Sequence, residues 1–482
     1  MVEQRNPLRG AKMKFRRSPR VVSLAAISGF MALAGCGGSR SGPSPTGSVP
    51  TPEPILSTAA PGRVPRQPDA VALYRRMGLL AEAGETPFVG SLSFFAGPTA
   101  DSTSIVVTVS LPNRVLRFRA EGDRWRASYD VGIEVRSGTT VVQELRSREV
   151  VRVLAFRETT RDDESVLFKQ LINLRPGTYD IRLIVRDESA TRGSAVEATI
   201  GVPQFAAGSV SSPVPVYESA PREQLGAPLN IVPTPRSTAV FGRDSIMMIY
   251  AEGYGDGGDN VPVHVTIKSD ESSQVLWSDT VSLARHGDHY SSTFPVPVSR
   301  LGVGVMLLGV NRPGAADTVR IPLFIAFGED LPVATFTQML DYLRYYVSSQ
   351  RLQAMRDAPA ESRASLWSAF LRDTDPVAQT PAHEGLRDYF SRIAQANVRF
   401  REEGQAGWLT DRGRVMVALG QPDQVYEPTM GNVGQRGRTL IWEFREHRLQ
   451  VVFIDQTGFG RWRMTLPSES EFESVVRRII PQ

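Results

Sequence analysis

Apolar residues recur along this chain with the period of a strand up to about Phe327 and with the period of a helix from Glu329 onward. Before that switch lie two series of β-branched, alternating segments separated by turn residues. The first series is Ser104–Leu111, Trp125–Arg136, Thr140–Val153, Val166–Leu174, Thr178–Arg186 and Ala195–Val202. The second is Ser245–Tyr250, Pro262–Lys268, Val275–Leu283, Tyr290–Pro295, Val303–Val310 and Thr318–Phe327. Strands this close together, with no long helical pattern between them, predict antiparallel sandwiches. Ser209–Pro235, rich in Pro and Ser, is expected to link or edge the two. A short helix is expected over 70–82, through Val71, Tyr74, Met77 and Leu80.

Beyond Glu329, Thr335 and Gln338 have the spacing of a capping box, ahead of Phe336, Leu340, Leu343 and Val347 on one helical face. Ser362–Arg372 forms a second helix. A third starts at Thr380-Pro381, carries Leu386, Phe390, Ile393, Asn397 and Phe400 as its buried stripe, and stops at Gly404. Gly407–Asp423 then reads as a tight turn around Trp408 and a strand over Arg414–Leu419, ended by Gly420 and Pro422. Thr439–Phe444 pairs with Leu449–Asp455, a last strand holds Trp462 and Met464, and Ser468–Ile480 closes as a helix with Ser468 and Glu471 as its capping box. Leu174–Val185, in which Pro176-Gly177 precedes Tyr179, resembles the late strand of immunoglobulin-like domains, where the Tyr hydroxyl bonds back to a loop. The expected fold is therefore multidomain and mainly β: two immunoglobulin-like β-sandwiches, a helical segment and a small α+β C-terminal domain. The divisions are 1–35, 36–69, 70–206, 207–236 as linker, 237–328, 329–406 and 407–482.

The N-terminus bears on where such a chain works. A basic stretch from Lys14 to Arg20 precedes an apolar run, Val21–Leu33, which is too short to span a bilayer and fits a signal peptide. Leu33-Ala34-Gly35-Cys36 follows, and Cys36 is the chain's one cysteine, so no internal disulfide or thiolate cluster can form. These residues resemble the bacterial lipobox. The resemblance implies cleavage before Cys36 and a diacylglycerol on its sulfur; an ordinary signal peptide with an incidental Cys is the alternative, and Met13 is an alternative start. Gly37–Pro68 is Gly, Ser, Thr and Pro with few large apolar residues, and reads as a disordered tether. The formal charge of +4 is misleading here, because residues 1–35 hold seven basic groups and one acid. Without them 48 basic groups face 50 acidic ones, a net of −2, which gives no basic excess for nucleic acid.

Gly407, Trp408, Thr410 and Asp411 resemble the name-giving residues of the GWxTD domain, a C-terminal module of bacterial envelope proteins with no assigned reaction. The likeness extends from Leu366-Trp367 through Asp375-Pro376, Thr380-Pro381, Asn397, Arg399-Phe400, Gly407–Asp423 and Trp442 to Phe453–Phe459. The chain departs from the family in carrying His383 before Glu384 and Met416 in place of an aromatic. Leu419-Gly420-Gln421-Pro422 followed by Trp442 is also similar, more loosely, to small lipoproteins that attend outer-membrane barrel assembly, in which the segment before Leu-Gly is helical.

Two roles are open to the signature. Thr410 and Asp411 can cap backbone N–H groups while Arg412 and Arg414 pair with Asp411 or Asp423, pinning a turn over Trp408. Alternatively, Arg412, Arg414, Trp408 and Trp442 line a groove for a glycan or peptide end. For catalysis the module offers Asp411, Asp423, Glu443 and Asp455 as carboxylates, but no Gly-x-Ser-x-Gly elbow and no phosphate loop. His286-Gly-Asp288-His289 reads as a turn between strands and Gly253–Asn260 as a long glycine-rich hairpin, so neither a metal nor a cofactor is expected. The expectation is a lipid-anchored envelope protein on the outer membrane with a non-catalytic binding or scaffolding role toward other envelope proteins or polymers. The alternative is a periplasmic hydrolase of an envelope glycan or peptide acting through the C-terminal carboxylates.

Overall fold

The computed structural model describes residues 70–480 apart from 161–164, 192, 256, 273, 316, 329–330, 375–383, 401–405 and 429–437. The signal peptide, Cys36, the tether, Asp375-Pro376, the Thr380-Pro381 helix start, His383 and the Gly404 stop lie outside those residues. The chain is mainly β, with an α+β region at its C-terminal end.

The first β unit is two sheets over one core. One has the order Leu80–Glu82, Phe88–Ala96, Thr103–Pro112, Ser165–Leu174; the other runs Arg119–Glu121, Arg124–Ser137, Gly177–Asp187, Ser194–Val202, with Thr140–Val153 along the free side of Arg124–Ser137. Ile105, Val107, Val109 and Leu111 of the first sheet meet Tyr129, Val131, Ile133, Val135 and Leu183 of the second. Burial of these alternating side chains is what holds the two sheets together. Tyr179 donates its hydroxyl to the Arg175 carbonyl at 3.1 Å across the Pro-Gly turn. Strand Phe88–Ala96 escapes a period-two reading because Gly90 interrupts it. A Cβ there would come within 3.0 Å of both the Thr108 carbonyl and the Leu183 side chain.

Thr103–Pro112 is buried on both faces because the second β unit covers its outer side. Phe95 and Val106 pack on Val214, Val216, Ile231 and Tyr250. Helix Ala70–Arg76 wedges Leu73 and Tyr74 against Val89, Val305 and Phe324. The segment expected to link or edge the two units carries strands Val214–Ala220 and Asn230–Pro233, which form one end of a nine-stranded sheet.

That sheet curls over its own core. Val275–His286 pairs with Asn260–Ser269 over most of its length and meets His289–Pro297 only through Ala284–His286. The halves on either side of this corner both face Ile249, Val263, Val265, Phe294, Leu308 and Ile325. His286–His289 is the expected turn between strands. Gly253–Asn260 is not a hairpin, since Ile246–Gly253 pairs with Val214–Ala220 and His289–Pro297 while Asn260–Ser269 pairs with the other half. It is a crossover from one half to the other, held against the chain at Gly255, where a Cβ would sit 2.6 Å from Ala207 Cα.

Helices Phe336–Tyr342, Ser349–Asp357, Arg363–Thr374 and Glu384–Arg399 follow. Thr335 and Gln338 close the expected capping box. The hydrophobic core does not stop at Glu329: Phe327 stacks on Phe336 and meets Trp367 edge-on, and the Trp367 indole donates to the Phe327 carbonyl at 2.9 Å. It continues into a four-stranded sheet, Gln424–Tyr426, Arg438–Phe444, Leu449–Asp455, Arg463–Met464, against which helix Leu466–Ile479 packs. Leu440, Trp442, Phe444, Leu449, Val451 and Phe453 turn inward as their alternation predicts.

Two local expectations are corrected. The strand expected over Arg414–Leu419 is a helix, Asp411–Leu419, because Thr410 caps its first turn and Gly420 (φ 85°) ends it. Val415, Met416 and Val417 are all buried, and a helix covered on several sides shows the same apolar density as a strand. The final helix starts at Leu466 with Thr465 as N-cap, so Ser468 is not a cap. Ser468 is buried in the first turn, where its hydroxyl accepts the Val452 N–H at 3.0 Å.

Candidate functional site

The signature is a close crossing of three backbone segments. Gly407–Leu409 makes one 3-10 turn between the long helix Glu384–Arg399 and the helix Asp411–Leu419. A Cβ on Gly407 would lie 2.2 Å from the Ala396 carbonyl, and one on Gly413 would lie 1.8 Å from the Gly407 carbonyl. Neither side chain has room, so glycine at both positions sets how closely the segments approach.

Each remaining signature residue fastens this crossing. Trp408 is 1% exposed; its backbone N–H donates to the Asn397 side-chain oxygen at 3.1 Å. Its ring takes the edge of Tyr342 at 5.6 Å and the guanidinium of Arg344 at 4.9 Å, while its indole N–H has no acceptor among the described residues. Fully buried Thr410 accepts the Gly413 N–H at 3.0 Å and donates to the Gly407 carbonyl at 2.7 Å. One oxygen of Asp411 accepts the Met464 N–H at 2.7 Å, and the other pairs with Arg414 at 3.2 Å. Arg414 also reaches Glu469 of the final helix at 2.6 Å. Arg412 lies over the rings of Phe400 (4.9 Å) and Trp462 (5.5 Å).

The other sequence candidates stand apart from this knot. Trp442 is 5% exposed, between Phe400 and Phe453. Trp408 and Trp442 both spend their faces on internal contacts, so they do not line an open groove with Arg412 and Arg414. Asp423 caps the Arg445 N–H at 2.7 Å and registers the end of the hairpin. Glu443 points away from Trp442 and accepts the Tyr426 hydroxyl at 2.8 Å. Asp455 is buried; burial pushes its carboxyl up, but N–H groups of Gly460, Thr457 and Gly458 and the Thr457 hydroxyl hold it below the usual carboxylate range. All four carboxylates are therefore engaged in local backbone or side-chain bonds. Among the described residues no His, Cys, Asp and Glu gather as a metal site, and no helix is long and apolar enough to cross a membrane.

Sequence reasoning missed Gly413, Arg344 and the Met464 N–H. Gly413 three residues after Thr410 was the available signal, since an N-cap Thr aims its hydroxyl at the third residue of the helix. The loop that Asp455 braces carries the most exposed large apolar side chain among the described residues, Phe459 at 90%, between Gly458 and Gly460, both at positive φ.

A family model for the GWxTD domain matches residues 319–455, so the C-terminal region carries that domain. The match begins in strand Val319–Ala326 of the nine-stranded sheet, where the shared core also begins. No curated protein matches the chain.

Proposed function

We propose that this protein is a lipid-anchored component of the bacterial envelope, held at the outer membrane through Cys36, which binds or scaffolds other envelope proteins or polymers without catalysing a reaction. The observation that carries this reading is the engagement of the GWxTD residues with one another. Trp408, Thr410, Asp411 and Arg414 close a backbone crossing, Asp411, Asp423 and Asp455 each hold a piece of main chain, and Glu443 accepts the Tyr426 hydroxyl. A hydrolase needs carboxyl groups free to reach a substrate. The most exposed large apolar side chain of the module among the described residues is Phe459, presented on a turn that Asp455 fixes, the pre-ordered kind of apolar anchor that partner pockets accept. The two β units serve as spacers above the lipid; the Tyr179–Arg175 bond supports an immunoglobulin-like reading of the first.

Two substitutions test the proposal in cells. Cys36→Ala releases the protein from the membrane fraction, and retention of an unacylated protein there contradicts the anchor. Phe459→Ala leaves folding unchanged and removes a neighbour captured by crosslinking in the intact envelope; an unaltered set of neighbours contradicts the contact surface.

A further inference from the structure

The first β unit leaves apolar side chains in water at one of its ends. Leu154 and Phe156 are 68% and 60% exposed, more than any other large apolar residue described between 70 and 206. They come directly after strand Thr140–Val153, where the chain makes the single helical turn Phe156–Thr159. Phe156 lies against Trp125 with ring centres 5.0 Å apart, and Trp125 pairs with Val153 across the ladder.

This tip is held in shape by its own bonds. The Leu154 N–H donates to the Glu158 carboxylate at 3.1 Å, the Glu158 N–H to the Ala155 carbonyl at 3.1 Å, and the Thr159 hydroxyl to the Phe156 carbonyl at 2.6 Å. From the turn Asn113–Val115, the Asn113 amide donates to the Glu158 carbonyl at 2.9 Å. Backbone groups satisfied in this way can leave water without the cost of an unpaired donor or acceptor. Arg124, Arg152 and Arg157 stand exposed beside Trp125, Val153 and Phe156, on stems long enough to keep their charges in water above a submerged ring. Glu121, Asp123 and Glu158 offset them, and Asp162, Asp163 and Glu164 follow in the sequence, so the attraction this tip offers is apolar and not ionic.

The place where the chain enters the fold says what this end faces. Helix Ala70–Arg76 packs on Val89, whose ladder partner is Ser110, near the end of strand Thr103–Pro112. The turn that holds Glu158 follows that strand at once. Ala70 and Phe156 therefore lie toward the same end of the unit. Thr139, in the hairpin turn beyond Ser137, lies about 40 Å off at the other end of strand Arg124–Ser137. A flexible chain of the length between Cys36 and Ala70 spans about 30 Å, so a lipid on Cys36 keeps the bilayer nearest the Phe156 end. Two side chains on one turn are far less than a stable protein interface buries. Against a bilayer they suffice, because the tether holds the tip at an effective concentration in the millimolar range.

We propose that Leu154 and Phe156 insert into the interfacial layer of the bilayer that carries the Cys36 lipid, with Trp125 at headgroup level. The inference rests on the anchored reading above and deepens it: the first β unit stands on the membrane by its own tip and does not hang free.

The test puts one environment-sensitive dye on the acylated protein in phosphatidylcholine vesicles, at Arg157→Cys or, as control, at Thr139→Cys; the acylated Cys36 sulfur does not react with it. Lipid brominated in the upper acyl chain is expected to quench the Arg157→Cys dye at least twofold more than the Thr139→Cys dye. Adding Leu154→Glu and Phe156→Glu abolishes that difference, while the protein still sediments with the vesicles and keeps its circular dichroism. In the chain from residue 36 with Cys36→Ala, the Arg157→Cys dye responds at lipid concentrations tenfold or more higher. A missing acyl group thus raises the lipid needed, whereas an inert tip abolishes the response, and the two failures are told apart. Equal quenching at the two positions overturns the proposal, as does quenching that survives the two glutamates. A dye that stays in water on vesicles but is shielded in native envelopes assigns the tip to a protein partner, and overturns it as well.

Discussion

Single positions in this chain show how a residue type can be dictated by its neighbours. Asp270, in the turn after Asn260–Ser269, gives its N–H to the Val305 carbonyl and sits among Arg76, Glu271 and Arg363. Burial, and then the charge of Glu271, push its carboxyl up to about 7 in spite of the two arginines. The unfolded chain ionises near the ordinary value of about 3.9. The folded state therefore binds the extra proton between those values, and the stability this group contributes is complete below about pH 4 and lost as pH rises through about 7. Asp270→Asn cannot ionise. Its denaturant midpoint is expected to exceed that of the natural protein at pH 8 by more than at pH 4; a difference that does not change with pH removes this assignment.

At the scale of elements, the helix Asp411–Leu419 depends on its two ends more than on its interior propensity. Thr410→Ala loses both the bond to the Gly413 N–H and the bond to the Gly407 carbonyl, in a fully buried position. The expected loss is about 1–2 kcal/mol in urea unfolding, and Thr410→Ser recovers most of it. The same helix marks the limit of what the sequence made legible. Long alternating strands such as Thr140–Val153 and Leu449–Asp455 were read to the residue, because one apolar face and polar turns define them locally. Phe88–Ala96, Val214–Ala220 and Asp411–Leu419 were not, because each is covered on more than one side and its pattern reports burial without period. Thr410 and Gly420 carry the capping and turn signals of this helix, but the apolar density of Val415–Val417 between them masks its period.

The described residues are tied together at two junctions, each at a place where the sequence pattern alone suggests a division. Between the β units, Glu252 (0% exposed) accepts Arg222 at 2.6 Å and the hydroxyls of Tyr250 and Tyr254, while Arg222 and Tyr254 bind the backbone of Ala96 in the first unit. Removing one member of a buried pair strands the other charge in a dry site. Glu252→Ala is expected to cost about 3–5 kcal/mol and to split thermal unfolding into two steps, with residues 70–206 melting first; a single unshifted transition contradicts that role. At the second junction Phe327 and Phe336 share one core, so a fragment starting at 329 is expected to be protease-sensitive where one starting at 207 is not.

If the GWxTD residues serve to knot the backbone, as proposed, Gly413 is where the knot is tightest. In an ordinary exposed helix Gly→Ala adds about 1 kcal/mol of stability. Here the added methyl would sit 1.8 Å from the Gly407 carbonyl. Equilibrium urea unfolding of Gly413→Ala is therefore predicted to show a loss of about 3 kcal/mol; a stability equal to or above that of the natural protein would contradict the account.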